Sequence, residues 1–380
     1  MRTVMVTKFV PLPANSGGKQ RSLALLTRLA QRGPTVLCGF DDGTADLDGL
    51  AELDVEVRAV PWSPSPARVA RGLTRTRSAS AARFASAALA QEVRAAARTP
   101  VDLLQIEYTQ LAPYARGVLA RTRVIDLHNV ESAAMRSLAA IHSAPAGLLL
   151  SLEAAALRTI ERRALTEFDA LVVVSDEERK RVGAGPARLL VCPNGWDVEA
   201  PLPFGDELTA VFVALLGWGP NADAAVWLGN EVWPAVRARL PTASLLLVGR
   251  EPSAKVRALA GNGLEVTGSV PDVSPYLSRA RVATAPLRAG GGSRLKVLEA
   301  LAAGRPVVAT SIGAEGLLDL AGRGLMLADS TAAFADALVS LLEDRALAER
   351  LGREGHEAVR DAYSWDTTLR PLLDFVDGRV

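Results

Sequence analysis

The run Gly290-Gly291-Gly292-Ser293-Arg294-Leu295-Lys296-Val297-Leu298-Glu299 places three glycines, two cations and an acid within ten residues. It follows a strand-like run, 282–287, and opens a helix-like run that stops at Gly304. Glycines let the main chain approach a ligand and turn its N–H groups outward. A helix start adds a positive dipole end, to which Arg294 and Lys296 add full charges. Glu299, one turn beyond Lys296, offers acceptors to hydroxyls. The combination suits a diphosphate joined to a hydroxyl-bearing group. It is not a Walker loop, because the Gly-Lys-[Ser/Thr] ending is missing and Lys296 lies inside the helix. A simple packing turn would need none of these charges.

Other candidates sit just after strand-like runs of the first half. Asp126-Leu127-His128-Asn129-Val130-Glu131 carries one of three histidines, a group suited to sugar hydroxyls or a proton role near neutral pH. A single histidine is more often structural. Glu107, in Gln105-Ile106-Glu107-Tyr108, ends the preceding strand, and with His128 and Asn129 it would form a polar floor. Asn15-Ser16-Gly17-Gly18 precedes a helix containing Arg21. Its glycines suit close approach of an acceptor or phosphate, or simply a turn with Ser16 near the cap. Ser175 followed by Glu178 is the capping-box signature of a helix start.

Two further features have plain readings. Gly217-Trp218-Gly219-Pro220-Asn221-Ala222 fits the G-x-G-x-x-A dinucleotide fingerprint, but Pro220 removes an N–H and no acid ends the following strand. Arg250 keeps an NADP reading open there. Arg68, Arg71, Arg75, Arg77 and Arg83 form a basic run able to attract an acidic acceptor or anionic lipid. A solvated helix face is the simpler reading in a chain with five lysines against thirty-eight arginines. Residues 147–152, Gly-Leu-Leu-Leu-Ser-Leu, could touch a membrane. The spacing of Leu157, Ile160 and Leu165 in the helix that follows favours core packing instead.

These residues need strands that end beside one another. Strands are expected at 3–8, 35–40, 55–60, 103–106, 123–126, 171–174 and 189–191, then at 210–216, 244–248, 265–267, 282–285, 307–309 and 325–327. Helices alternate with them, including 19–31, 222–239, 295–303, 331–343 and 346–362. This is the pattern of parallel sheets covered on both faces, where ligands bind beyond the carboxyl ends of the strands. Prolines and Asn194-Gly195 within 193–206 mark a boundary. The expected division is 1–200, 207–362 and a terminal helix within 363–380 that crosses back to the first domain.

At 380 residues the chain is long enough for two cores. A net charge of +1 leaves no nucleic-acid footprint. Cys38 and Cys192 stand in apolar runs, which speaks for a reducing interior. The start is too short and broken for a signal peptide, and no apolar run spans a bilayer. The expectation is a cytoplasmic protein with possible peripheral membrane contact.

The chain resembles the GT-B glycosyltransferases of the retaining family 4. The resemblance rests on Gly268-Ser269-Val270-Pro271-Asp272-Val273, Pro286-Leu287, the 290–301 run, Gly304-Arg305-Pro306-Val307-Val308-Ala309-Thr310 and Gly313-Ala314-Glu315-Gly316-Leu317. Pro193-Asn194-Gly195, Pro220-Asn221-Ala222, Gly17-Gly18 with Arg21, and His128-Asn129 extend it over nearly the whole chain. It implies two doubly wound Rossmann-like domains facing each other across a cleft, with an acceptor site in the first and a nucleotide-sugar site in the second.

Carried over to these residues, Glu299 would bind ribose hydroxyls, and Gly291, Gly292 and Ser293 would turn N–H groups to the diphosphate beside Arg294 and Lys296. Gly249, Arg250 and Val270 would border the base. His128, Gly17 and Gly18 would face the sugar and departing phosphate, with Asn15, Glu107 and Asn129 on the acceptor side. No metal or other cofactor is implied; the donor is a nucleoside-diphosphate sugar and the acceptor is open.

Two departures stand out. Gly291 occupies the place of a glutamate that touches the donor sugar in many members. The 217–221 loop also lacks their Arg and Lys, leaving Arg294 and Lys296, with Arg250 or Arg288 as further candidates, to meet the diphosphate. The expected reaction is transfer with retention, protein cations stabilising the leaving group. The alternatives are an NADP-dependent oxidoreductase using Gly217 and Gly219, or a nucleotide-sugar binder without activity.

Overall fold

A computed structural model describes residues 1–140, 142–205, 207–290 and 294–379, the Arg68 side chain excepted. The chain divides into two compact units, 1–193 with 369–380, and 194–368.

The first unit is built on seven parallel strands. They are β1 (Thr3–Phe9), β2 (Thr35–Asp41), β3 (Val55–Pro61), β4 (Val101–Glu107), β5 (Ala120–Asp126), β6 (Ala170–Val173) and β7 (Arg188–Val191), in the order β3-β2-β1-β4-β5-β6-β7. The central strands are apolar on both faces, as a sheet covered by helices on both sides requires. Val4 pairs with Val36 on one side and Leu104 on the other, and all three are buried. The helix Gly17–Ala30 buries Leu25, Leu26 and Leu29 completely, each contributing roughly 1.5–3 kcal/mol. The C-terminal helix Trp365–Asp377 straddles the division, with residues from Leu369 onward belonging to this unit.

The second unit has six parallel strands: β8 (Thr209–Val213), β9 (Ser244–Val248), β10 (Leu264–Gly268), β11 (Val282–Ala285), β12 (Val307–Ala309) and β13 (Leu325–Leu327). Their order is β10-β9-β8-β11-β12-β13. Phe212, Trp227 and Phe334 anchor one face of its core, the last two meeting edge-on at 5.4 Å between centroids. In both units the strand order reverses between the first and fourth strands. Such a reversal opens a crevice at the strands' carboxyl ends; Gly17, Gly18 and Glu107 in the first unit and Lys296 in the second follow or end the strands that flank it.

All thirteen expected strands are present, nine of them with ends shifted by one to three residues. The helix expected over 222–239 differs. It begins at Gly219 with Pro220 in its first turn, where no N–H is needed. It then widens into a π turn over Leu228–Val232 before resuming as Trp233–Arg239. Pro234 explains the interruption, because it has no N–H to donate and its ring would clash with a carbonyl one turn back.

A second difference is at 147–152. Core packing was expected, but Leu148, Leu149 and Leu152 are exposed. The helix Ala146–Glu167 buries its apolar face only from Ala154 onward, through Leu157, Ile160 and Leu165. Its first two turns project past the core. Among the described residues no helix is long and apolar enough to cross a membrane.

Candidate functional site

In the second unit, β11 runs into a loop that leads to the helix Leu295–Ala302. Arg294 occupies the N-cap position, and Lys296 and Glu299 stand one turn apart on the helix. The Lys296 ammonium donates to Asn221 Oδ1 at 2.7 Å and lies 4.8 Å from the centre of the Phe212 ring. Asn221 is itself buried, its amide donating to the Leu215 carbonyl at 2.9 Å. The loop after β8 therefore positions Lys296 through Asn221, a role that spacing alone did not reveal.

Arg294 is buried. Its Nε donates to the Ile312 carbonyl at 3.2 Å, and its guanidinium lies 3.8 Å from the Glu315 carboxylate. Gly290 adopts φ 115°, and a Cβ there would lie 3.4 Å from both the Arg294 guanidinium and the Trp218 indole. Trp218, 41% exposed, thus borders Gly290 from a loop after β8 that carries no basic residue.

The electrostatics are those of a cation and an acid held in a poorly solvated place. Burial, with Arg294 alongside, brings the Lys296 ammonium down to about 7, against the pull of Glu299. Burial raises the Glu299 carboxyl to about 7; Lys296 opposes this and Asp272 adds to it. Both groups thus titrate near neutrality, an arrangement suited to a charged ligand.

Gly249, at the end of β9, has φ 149°, and a Cβ there would meet the Ala214 carbonyl oxygen at 1.7 Å. Only glycine permits this approach of the strand end to the loop after β8. Arg250 and Val270 are partly buried at the ends of β9 and β10. Arg288 is engaged by Asp223, 2.8 Å away in an exposed pair. Gly291, Gly292 and Ser293 lie outside the described residues.

In the first unit, Glu107 ends β4 and His128 follows β5. Glu107 is fully buried and its Oε2 lies 2.6 Å from His128 Nε2. Gln105 and Ser22 also donate to that carboxylate, at 2.8 and 3.2 Å. Tyr108 stacks on His128 with centroids 3.8 Å apart, and the Lys8 ammonium lies 4.1 Å from the centre of the Tyr108 ring. Both Tyr108 and His128 adopt left-handed backbone, φ 76° and 56°. Such conformations are uncommon outside glycine and concentrate at functional sites. Gly18 lies directly against the Tyr108 hydroxyl, where a Cβ would approach to 2.0 Å.

Beneath this stack, Arg21 and Asp126 form a buried ion pair at 2.7 Å. Arg21 also donates to the Cys192 and Pro193 carbonyls at 3.0 and 3.2 Å, and Asp126 accepts the His128 N–H at 2.9 Å. Burial works against the Arg21 charge, but Asp126, aided by Cys192 and Glu107, offsets it and keeps the pKa above the ordinary value. Gly17 opens the helix after β1, preceded by exposed Asn15. Asn129 is partly buried beside His128, its Oδ1 buried without a hydrogen-bond partner.

Ser175 and Glu178 have a structural role. The Ser175 hydroxyl accepts the Glu178 N–H at 3.2 Å, while the Glu178 carboxylate accepts the Val130 N–H at 3.0 Å. Among the described residues, Glu107, Asp126 and His128 offer ligand atoms within 4.8 Å of one another. Arg21 already compensates Asp126, and His128 already bonds Glu107.

Comparison with known proteins places this geometry in a family. The profile described as "Glycosyl transferase 4-like domain" matches residues 16–195, and that described as "Glycosyl transferases group 1" matches 207–344. The phosphatidyl-myo-inositol mannosyltransferase of Mycobacterium leprae is 31% identical over 214 residues, 53% of this chain and 57% of that protein. The GDP-mannose-dependent alpha-(1-6)-phosphatidylinositol monomannoside mannosyltransferase of Mycobacterium tuberculosis is 30% identical over 253 residues, 58% and 65% respectively. The matches thus span about six-tenths of each relative's length. The sucrose-phosphate synthase of Thermosynechococcus elongatus superposes with a TM-score of 0.73 at 16% identity, covering 100% of this chain and 98% of that one. The chain belongs to the group 1, family-4-like glycosyltransferases and has their GT-B fold.

Proposed function

We propose that the protein transfers a sugar from a nucleoside-diphosphate donor to a hydroxyl or amine of a glycan, lipid or natural product, with retention at the anomeric carbon. The observation that carries this reading is the pairing of Lys296 with Glu299 at the helix start after β11, with Asn221 holding the lysine. A diphosphate restores full charge to Lys296, and a ribose supplies hydroxyls to Glu299. Arg294 and the helix dipole add to the field on the leaving group. The protein's own cations are placed to stabilise the diphosphate as the glycosidic C–O bond breaks, and the departing phosphate oxygen takes the acceptor's proton. Gly249, Arg250 and Val270 border the base in this reading.

In the first unit, His128 is the group offered to the sugar, held by Glu107 and flattened against Tyr108. Gly17 and Gly18 bring main chain close to the same place, and Asn15, Glu107 and Asn129 belong to the acceptor side. Family membership supports this reading over the NADP-dependent one. GDP-mannose is the first donor to test, since one relative is named for it.

Donor sugars of GDP, UDP, dTDP and ADP, each incubated with the protein and a mixed acceptor panel, should yield free nucleoside diphosphate with one base. Lys296→Ala should cut that release by roughly 10²–10³ while the protein stays folded. Equal release by this variant, or stabilisation by NADP and by none of the nucleotides, would overturn the proposal.

A further inference from the structure

The helix Ala146–Glu167 opens on an apolar turn that nothing among the described residues covers. Leu148, Leu149 and Leu152 are 63%, 64% and 60% exposed. Single exposed leucines are ordinary, whereas three on adjacent turns form a patch. The next residue, Glu153, faces elsewhere. Its carboxylate accepts from the Ser78 hydroxyl at 2.5 Å, the Ala79 N–H at 2.7 Å and the Ser80 hydroxyl at 2.6 Å. This clips the short helix Ala79–Arg83 to the leucine turn.

The helix Pro66–Thr76 packs in turn on that short helix, Gly72 against Ala82, where a Cβ on Gly72 would come within 2.8 Å of the Ala82 Cα. Arg71, Arg75, Arg77 and Arg83 are all exposed on this assembly. On the other flank, exposed Arg136 lines a groove of about 410 Å³ together with Leu148 and Ser151. The segments that build this face are poor in acids: no Asp or Glu occurs between Glu56 and Glu92, or between Glu131 and Glu153. Glu153 itself is engaged by the serine hydroxyls and main-chain N–H groups.

A leucine patch alone would suit many partners. A leucine patch flanked by elements that expose arginines, with Glu153 already satisfied, suits a surface that is apolar beneath and negatively charged at its rim. The geometry points to this face as a docking surface for an anionic lipid bilayer, with the three leucines entering the headgroup–acyl boundary and Arg71, Arg75, Arg77 and Arg136 meeting lipid phosphates. This goes beyond the transferase reading and does not depend on it.

The test is co-sedimentation of the full chain with vesicles of pure phosphatidylcholine and of phosphatidylcholine with one-third phosphatidylglycerol. Binding is expected to the anionic vesicles only and to weaken in 0.5 M salt. Leu148→Ser, Leu149→Ser and Leu152→Ser together should lower the partition coefficient roughly tenfold or more. Arg71→Gln, Arg75→Gln and Arg77→Gln should lower it about fivefold each and remove most of the salt dependence. Both sets alter exposed residues, so melting temperature and nucleotide binding should stay at wild-type values. Equal binding to neutral vesicles, no binding at low salt, or wild-type binding by both sets would overturn the inference. So would a dimer in sedimentation velocity that the leucine variant dissociates, without vesicle binding by either form.

Discussion

The imidazole of His128 lies flat on the ring of Tyr108, centroids 3.8 Å apart and planes 16° from parallel. Gly18 supports the far end of that stack by having no side chain, since a Cβ would come within 2.0 Å of the Tyr108 hydroxyl. Gly18→Ala must therefore push Tyr108 away and free His128. We expect a stability loss of about 1–3 kcal/mol, the usual cost of overpacking, and a larger proportional loss of transfer rate. Adding Tyr108→Phe removes the clashing oxygen and should recover much of both. Urea titration and initial rates on the same three proteins distinguish a displaced stack from a merely weakened fold.

Lys296 depends on Asn221 for its place. Lys296→Ala should lower kcat by roughly 10²–10³, the usual loss when a charge-stabilising donor is removed from a preorganised site. Asn221→Ala should lower it by less, about tenfold, because the charge survives but wanders. Lys296→Arg should fall between them, a planar fork being a poor substitute for a compact ammonium. Steady-state kinetics, with the melting temperature as control, check this order.

If Lys296 holds the diphosphate and Glu299 the ribose as proposed, nucleotide binding should depend on pH. Without ligand, Lys296 loses its proton near pH 7; a bound diphosphate favours the charged form and raises that value. Above pH 7, binding must therefore take up a proton, and affinity should fall by up to about tenfold per pH unit until the bound-state pKa is passed. Below pH 7, Glu299 is protonated, having been raised to about 7, so its acceptor capacity for ribose declines. Affinity should peak near neutrality. Calorimetry in two buffers of different ionisation enthalpy at pH 8 should show proton uptake, and Lys296→Met should abolish it.

The same groups affect stability with a definite sign. Between pH 4.5 and about 7 the folded chain keeps a proton on Glu299 that the unfolded chain releases, so this contribution falls as pH rises. Between about 7 and 10.5 the unfolded chain holds a proton that folded Lys296 lacks, so that contribution rises with pH. The wild type, measured relative to a Lys296→Met, Glu299→Gln variant, should be least stable near pH 7. Urea unfolding at pH 5.5, 7 and 8.5 reads this directly.

The Arg21–Asp126 pair bears on the fold more than on chemistry. Asp126→Asn leaves a guanidinium buried without its countercharge, which should destabilise the first unit by about 3–5 kcal/mol. The urea midpoint should drop accordingly. Lys19→Ala, which removes the Asp42 pair at 3.1 Å instead, should cost far less.

The sheets were legible because parallel strands buried on both faces read as short apolar runs bounded by turns; 244–248, 282–285 and 325–327 match the structure residue for residue. The strand-end rule likewise drew attention to Glu107, His128 and Lys296. What spacing does not encode is which side chain reaches across to which. Asn221 lies seventy-five residues from Lys296, and Lys8 is a hundred from Tyr108. The role of Tyr108 is not legible in Gln105-Ile106-Glu107-Tyr108, because its stack depends on left-handed backbone at two non-glycine positions. The leucines at 148–152 misled for a different reason. Apolar character implies burial only where a helix lies on the core, and this one extends beyond it.

Both cysteines in the chain, Cys38 and Cys192, are wholly enclosed, and burial pushes each thiol up to about 12. The thiolate is the reactive form, so the folded protein should be silent toward maleimides and other thiol reagents. The native chain is thus already a blank background for site-specific labelling. A single Leu148→Cys substitution would accept an environment-sensitive dye at one place, and its emission would report whether that turn leaves water when vesicles are added.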